Sequence, residues 1–189
     1  MTFSILAISD DKSEIGIAVQ SKFPGVATNA IFGKGSVGVV ATQGFSNPDH
    51  AEMALNLLEK GQSPSEVIEI IRKDDPDETQ RQLAILSTTG ECAAYSGEEL
   101  TWLPGNTTFR IGKKSVAVGN LLRSTSVVDA MVDFIDSTSG DLAPRLLRAL
   151  QLGQDAGGEI RGMQAAGILV FEAGSGFQSK KKKKIDISV

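Results

Sequence analysis

Residues 3–8 (FSILAI) form an unbroken apolar, β-prone run that begins directly after Met1-Thr2. A polar turn, Ser9-Asp10-Asp11-Lys12-Ser13, separates it from a second run of the same character, residues 14–20 (EIGIAVQ). Two such runs around a short polar turn predict a β-hairpin. Neither run alternates apolar with polar, which predicts burial on both faces rather than one. The first strand is therefore expected at the centre of a sheet, with no leader or arm before it, and the rest of the chain must cover both of its faces.

The remaining pattern shows where that cover comes from. Residues 26–32 predict a short strand or an irregular segment, and residues 36–43 (SVGVVATQ) a strong strand closed by Gly44. Gln43-Gly44-Phe45-Ser46 thus falls where a strand meets a helix, a frequent place for sites. Asn47 caps a helix with Pro48 at its first position, Ala51, Ala54, Leu55, Leu57 and Leu58 as its stripe, and Gly61 as its stop. Ser63-Pro64-Ser65-Glu66 is a capping box opening a second helix, which buries Val67, Ile68, Ile70 and Ile71. Residues 82–87 and 92–96 predict a second hairpin, and residues 101–103 and 107–111 two weaker strands. Residues 115–118 are a further strand ending at Gly119-Asn120. Two more helices are expected at 127–135, capped by Ser124 or Ser126, and at 142–152, capped by Asp141 and stopped by Gly153. A glycine-rich loop at 155–162 leads into the last strong strand, 164–171. A run of five lysines, 180–184, is an exposed charge run before an edge strand at 185–189. About eight strands and four amphipathic helices in this order pack most economically as two stacked sheets, each covered by a helix pair. The expected fold is α+β, a four-layer αββα sandwich, in one domain over residues 1–189.

Composition narrows the chemistry. A net charge of −4 argues against general nucleic-acid binding, which leaves a basic footprint. No apolar run reaches the ~20 residues that span a bilayer, and no secretory signal pattern opens the chain. With Cys92 the lone cysteine, these features predict a cytoplasmic protein with neither nucleic acid nor membrane as partner. One His and one Cys fall short of a four-ligand zinc site. Neither an H-E-x-x-H nor a G-x-S-x-G motif is present, so no metal and no cofactor is expected. His50 falls in the first turn of a helix and is expected to be solvated.

Thr2 offers a different chemistry. Once Met1 is removed, Thr2 carries a hydroxyl nucleophile and a free α-amine on one residue, and the amine serves as base without any histidine. An α-amine titrates near ~8, so a useful fraction is neutral at pH 7. The bland alternative is an ordinary threonine at a buried strand start. Ser4 projects to the same side as Thr2 by strand alternation. Lys22 at the end of the second strand, or its rival Lys34, would favour the alkoxide electrostatically. The Gly44 N–H is a candidate oxyanion donor. Gln20, Gln43 and Asn120 are strand-end amides suited to substrate. Asp155, Arg161 and Gln164 flank the glycine-rich loop, where an ion pair would hold it and Gln164 would contact substrate.

Several segments carry a resemblance. They are Thr2-Phe3-Ser4-Ile5, Ser21-Lys22-Phe23-Pro24, Ala41-Thr42-Gln43-Gly44-Phe45-Ser46-Asn47-Pro48 and Arg81-Gln82-Leu83. Val118-Gly119-Asn120-Leu121-Leu122 and Asp155-Ala156-Gly157-Gly158, with Arg161-Gly162 and Gln164 beyond, continue it up to about Phe171. Together they resemble a bacterial and archaeal domain family of unknown function placed in the N-terminal nucleophile (Ntn) hydrolase superfamily. That resemblance implies an αββα fold and amide hydrolysis by Thr2, with a lysine after the second strand beside the nucleophile. The chain departs from the pattern at Met163 and Ala165, where relatives more often carry a basic and a hydroxyl residue. Two readings follow: an Ntn-type hydrolase of an amide in a small molecule or peptide, or a binding or scaffold domain that kept the fold without the chemistry. The expected partner is a small-molecule or peptide substrate, with association into a homo-oligomer left open.

Overall fold

The structure is a computed structural model that describes residues 2–174 and 183–189. Strands β1 (Thr2–Ile8) and β2 (Glu14–Ser21) form the expected hairpin, in register from Thr2 opposite Ser21 to Ile8 opposite Ile15. The chain then winds into a short helix, α1 (Val26–Ala30), entered through Gly25 at φ 76°. Of residues 26–32, expected as a short strand or an irregular segment, only Ile31 and Phe32 are extended, where they open β3 (Ile31–Lys34). Strand β4 (Gly38–Gly44) and helices α2 (Pro48–Glu59) and α3 (Pro64–Asp74) follow. Asn47 caps α2 by accepting from the Asp49 N–H, and both halves of the Ser63–Glu66 capping box are formed.

Strands β5 (Arg81–Ser87), β6 (Cys92–Ser96), β7 (Asn106–Ile111) and β8 (Ser115–Leu122) come next. The weak strand expected at 101–103 is instead the end of a 3₁₀ turn, Glu98–Trp102. Helices α4 (Ser126–Ser137) and α5 (Leu142–Asp155) lead to β9 (Ala165–Glu172) and β10 (Lys183–Ser188). Of the lysine run, residues 180–182 lie outside the described residues, as does Met1; Lys183 and Lys184 open β10.

The described residues form two antiparallel sheets and five helices, a mixed α+β architecture. The six-stranded sheet runs β10-β9-β2-β1-β8-β7, and the four-stranded sheet runs β3-β4-β5-β6. β1 is central, paired to β2 on one side and β8 on the other, and all seven of its residues are buried. Its alternation divides the core. Leu6 and Ile8 face the other sheet, where they meet Val39, Ala41, Ala84 and Leu86. Phe3, Ile5 and Ala7 face α4 and α5, against Met131, Ile135, Leu146 and Leu150. Helices α2 and α3 cover the other face of the four-stranded sheet through Ala51, Ala54, Val67, Ile68 and Ile71. Burying one such large apolar side chain is worth about 1.5–3 kcal/mol. A bare face on β1 would therefore forfeit much of the ~5–15 kcal/mol that a domain has in total. No described helix is long and apolar enough to cross a membrane.

Three helix boundaries differ from expectation, one of them at Asp141, which occupies the α5 cap position without a side-chain cap bond. Thr125 occupies the α4 cap position without a side-chain cap bond, while the Ser124 hydroxyl accepts from the Ser126 N–H. Gly153 does not stop α5: the helix continues through it to Asp155. A Cβ on Gly153 would lie 3.1 Å from the Met131 thioether and 3.2 Å from the Phe3 ring, so glycine is there to let α5 approach β1 and α4. Gly153→Leu is accordingly expected to cost about 1–3 kcal/mol by overpacking, read as a lowered thermal midpoint.

Candidate active site

The face between the sheets is hydrocarbon along most of its length and turns polar at one end. Alternation places this change in the sequence of each strand. Ile8 and Leu6 give way to Ser4 and Thr2 on β1, and Val19 to Ser21 on β2. Ala41 gives way to Gln43 on β4, Ala84 to Gln82 on β5, and Val118 to Asn120 on β8. All six polar residues are buried. Buried amides and hydroxyls persist only when paired, and these pair with one another.

The Thr2 backbone nitrogen donates to Asn120 Oδ1 at 3.0 Å, and the Thr2 hydroxyl donates to Ser21 Oγ at 3.2 Å. The strand registers set both contacts. Thr2 is opposite Ser21, and Phe3 is opposite Gly119, so one further step sets Asn120 opposite Thr2. Ser4 Oγ donates to Gln43 Oε1 at 2.8 Å, and Gln43 Nε2 donates to the Thr2 carbonyl at 3.1 Å. At the end of β8, Leu121 takes a left-handed backbone (φ 50°), a strained conformation for a leucine. Its carbonyl accepts from the Ile160 N–H, which ties the glycine-rich loop to this strand end.

Thr2, Gln43 and Gly44 line one cavity of about 310 Å³. Its walls are apolar at Phe23, Val26, Ala30, Phe45 and Pro48, and Asn29 and Ser46 add neutral polar groups. Among the described residues that line it, no side chain is charged. Gly44 has φ 80°, and a Cβ there would lie 2.7 Å from the Gln80 carbonyl, so the turn that carries the chain out of the sheet needs glycine. The next residue is held from behind. Arg81 donates to the Phe45 carbonyl while forming a two-pronged pair with Asp75, Nε to Oδ2 at 2.8 Å and Nη2 to Oδ1 at 3.1 Å. Its guanidinium also lies over the Phe45 ring, 5.0 Å from the centroid.

Other expected site residues lie elsewhere. Gln20 is one position out of phase with Ser21, so it faces α5 and donates to Gln154 Oε1 at 2.5 Å. The Gln164 side chain is exposed and lines a different cavity with Gln20 and Met163, while its N–H donates to the Ser21 carbonyl at 2.9 Å. Lys34 pairs with Glu59 at 2.5 Å. It sits opposite Gly38, six residues along β4 from Gly44, a separation of roughly 20 Å at strand rise. Lys22 directly follows Ser21, and its side chain is exposed; its N–H donates to Glu159 Oε2 at 3.1 Å. The loop's ion pair is Glu159 with Arg161, with Glu159 buried, whereas Asp155 ends α5 and is exposed. Gln82, Ser21 and the apolar cavity wall were not among the expected site residues. Gln82 appears in the resembling motif Arg81-Gln82-Leu83, yet nothing local in that tripeptide marks it as a site.

His50 is buried, not solvated, at 7% exposure. Asn47 Oδ1 accepts from the Asp49 N–H, so its Nδ2 faces His50 Nε2 as donor at 3.2 Å, while His50 Nδ1 has no hydrogen-bond partner among the described residues. Among the described residues, no group of three or more His, Cys, Asp or Glu side chains is placed to hold a metal ion.

A family model described as a family of unknown function, DUF1028, matches residues 2–189. The chain belongs to that family. The crystal structure of protein SPO2555 from Silicibacter pomeroyi, described with the same DUF1028 family, is similar to it with a TM-score of 0.88 at 26% identity. The match covers 100% of this chain and 77% of that one. No curated protein matches the chain. For this DUF1028 member, the polar end of the inter-sheet face and the cavity beside it are the candidate site.

The buried imidazole next to this site makes a pH prediction. Burial is the largest influence and holds the His50 pKa below its ordinary value; Arg81 lowers it further, against Asp75 and Asp49. The unfolded chain then binds more protons than the folded one below about pH 6.5. Stability contributed by neutral His50 is present above that pH and lost as pH falls toward the folded pKa. Asp75 stays ionised in this window, because the Arg81 hydrogen bonds hold its carboxyl below the ordinary value. The thermal midpoint is expected to fall between pH 7 and pH 5, and to fall less in His50→Gln.

Proposed function

We propose that the protein is an Ntn-type hydrolase that cleaves an amide bond, with Thr2 as nucleophile once Met1 is removed, and that its two sheets and flanking helices are the four-layer αββα arrangement of that superfamily. The observation that carries this reading is the position of Thr2: it starts the central strand, faces the polar end of the inter-sheet core and lines the uncharged cavity. Its nitrogen is already oriented by Asn120.

In the proposed reaction, the Thr2 hydroxyl oxygen bonds to the amide carbon and its proton passes to the α-amine. The carbonyl oxygen becomes an oxyanion at the Gly44 N–H. Collapse breaks the carbon–nitrogen bond, and the leaving amine takes the proton back. Water then attacks the ester, gives its proton to the α-amine, and releases the acid with Thr2 restored. The cavity sets the substrate: about 310 Å³ is the lower end of ligand pockets, and its walls suit one neutral, apolar acyl group of a small molecule or peptide.

One observation favours the second reading, an inactive binding or scaffold domain. Lys34 is engaged by Glu59, and Lys22 turns an exposed side chain to solvent, so no described contact sets an ammonium on the Thr2 hydroxyl.

Intact mass of protein from its native host, followed by a panel of acylated reporter amines, decides between them. For the hydrolase, Met1 is absent from the mature chain, and Thr2→Ala lowers turnover by at least about 10³-fold, the scale of losing a nucleophile, while the thermal midpoint moves little. Uniform retention of Met1, or no turnover across the panel, selects the scaffold. Within the panel, phenylacetyl and hexanoyl amides are expected to exceed glutaryl and lysyl amides by at least about tenfold in kcat/KM, because burying an unpaired charge costs more than the ~1.4 kcal/mol that tenfold represents.

A further inference from the structure

Gln82 is fully buried at the centre of the polar end, and its amide has one permitted orientation. Its nitrogen lies 3.0 Å from the Gly119 carbonyl, 3.2 Å from the Thr108 carbonyl and 2.8 Å from Ser96 Oγ. Backbone carbonyls only accept, so the group facing them must be the donor NH₂. A reversed Gln82 would set its own oxygen against two others. Oε1 therefore points the other way, toward Gln43 Nε2 at 2.7 Å and Asn120 Nδ2 at 2.8 Å. An amide oxygen only accepts, so both neighbours must turn their NH₂ groups to it. That leaves Gln43 Oε1 for the Ser4 hydroxyl and Asn120 Oδ1 for the Thr2 nitrogen.

We propose that Gln82 is a positioning residue for the Thr2 α-amine, relaying the polarity of the β7 and β8 carbonyls through Asn120. The inference rests on the amide-hydrolase reading. With Asn120 held as acceptor, a neutral amine donates one N–H to it and keeps its lone pair for the Thr2 hydroxyl proton. A reversed Asn120 would donate to that lone pair and occupy the base. Asn120 has nothing of its own to choose between these orientations at Thr2; the choice comes from Gln82, and Gln82 takes it from backbone carbonyls that no side-chain rotation can change.

The relay is tested on the chain beginning at Thr2, otherwise complete, by following the Thr2 Cα and Cβ resonances against pH in wild type, Gln82→Met and Gln82→Glu. Gln82→Met removes both donor and acceptor. It frees Asn120 to reverse, and donation to the neutral amine then lowers the Thr2 amine pKa by about one unit. The misplacement also lowers kcat by about 10²-fold. In Gln82→Glu, burial and the facing carbonyls keep the carboxyl protonated. One group then still offers a donor to the carbonyls and an acceptor to Asn120, so the wild-type amine titration is retained. An unchanged titration in Gln82→Met overturns the proposal, and so does an equal fall in both variants, which would mark a packing effect alone. Should Gln82→Met not fold, Gln82→Leu, which also lacks donor and acceptor, is read in its place: a lowered amine pKa supports the relay and an unchanged one overturns it. The titration needs no substrate. Absence of turnover in wild type therefore counts against the hydrolase reading, while the amine pKa values judge the relay separately.

Discussion

A strand buried on both faces is the constraint from which this architecture follows. β1 has no solvent side: Phe3, Ile5 and Ala7 lie against α4 and α5, and Leu6 and Ile8 lie against the second sheet. It has no free edge either, since β2 and β8 satisfy its backbone on both sides. The second sheet has its own outer face to cover, and α2 and α3 cover it. Each element is thus required by the exposed apolar surface of the one before it.

The same packing creates the site. At most positions the two sheets meet through hydrocarbon, which tolerates small shifts of register. At the end where Thr2 lies, they meet through hydrogen bonds, which do not. Gln43, Gln82 and Asn120 come from three strands in two sheets, and each uses both ends of its amide. An unsatisfied buried polar group costs about 1–3 kcal/mol, so the network holds together as a unit or not at all. Arg81 extends the order outward by holding the Phe45 carbonyl at the cavity wall. The orientation of Asn120 beside Thr2 is thereby tied, through Gln82, to the carbonyls of Thr108 and Gly119.

Much of the candidate site was legible as strand ends. Thr2, Gln43, Gly44 and Asn120 are polar or glycine residues at the ends of apolar runs, where neighbouring strands stop together, and Ser4 follows from Thr2 by strand alternation. Phase misled at Gln20: it ends an apolar run too, but alternation turns it toward α5. The exposed Gln164 side chain lies at a strand entry, facing another cavity. Lys34 followed a short extended segment whose direction along β4 the sequence does not state. His50, in the first turn of an amphipathic helix, looked solvated because Asp75, 3.7 Å from its Nε2, comes from beyond the next helix.

The sequence by itself determined the two buried hairpin strands, the helix starts at Asn47 and Ser63, and the presence of a hydroxyl residue at the head of the first strand. Those are local matters, decided by side-chain periodicity, capping chemistry and backbone freedom within a few residues. Only the tertiary structure decided that Gln82 stands between Gln43 and Asn120, that Asn120 offers its oxygen to Thr2, and that Gly153 carries α5 across β1. Each depends on groups 38 to 150 residues apart meeting at one distance and one orientation. Hydrogen-bond direction and close packing are properties of that meeting, and no stretch of the chain contains them alone.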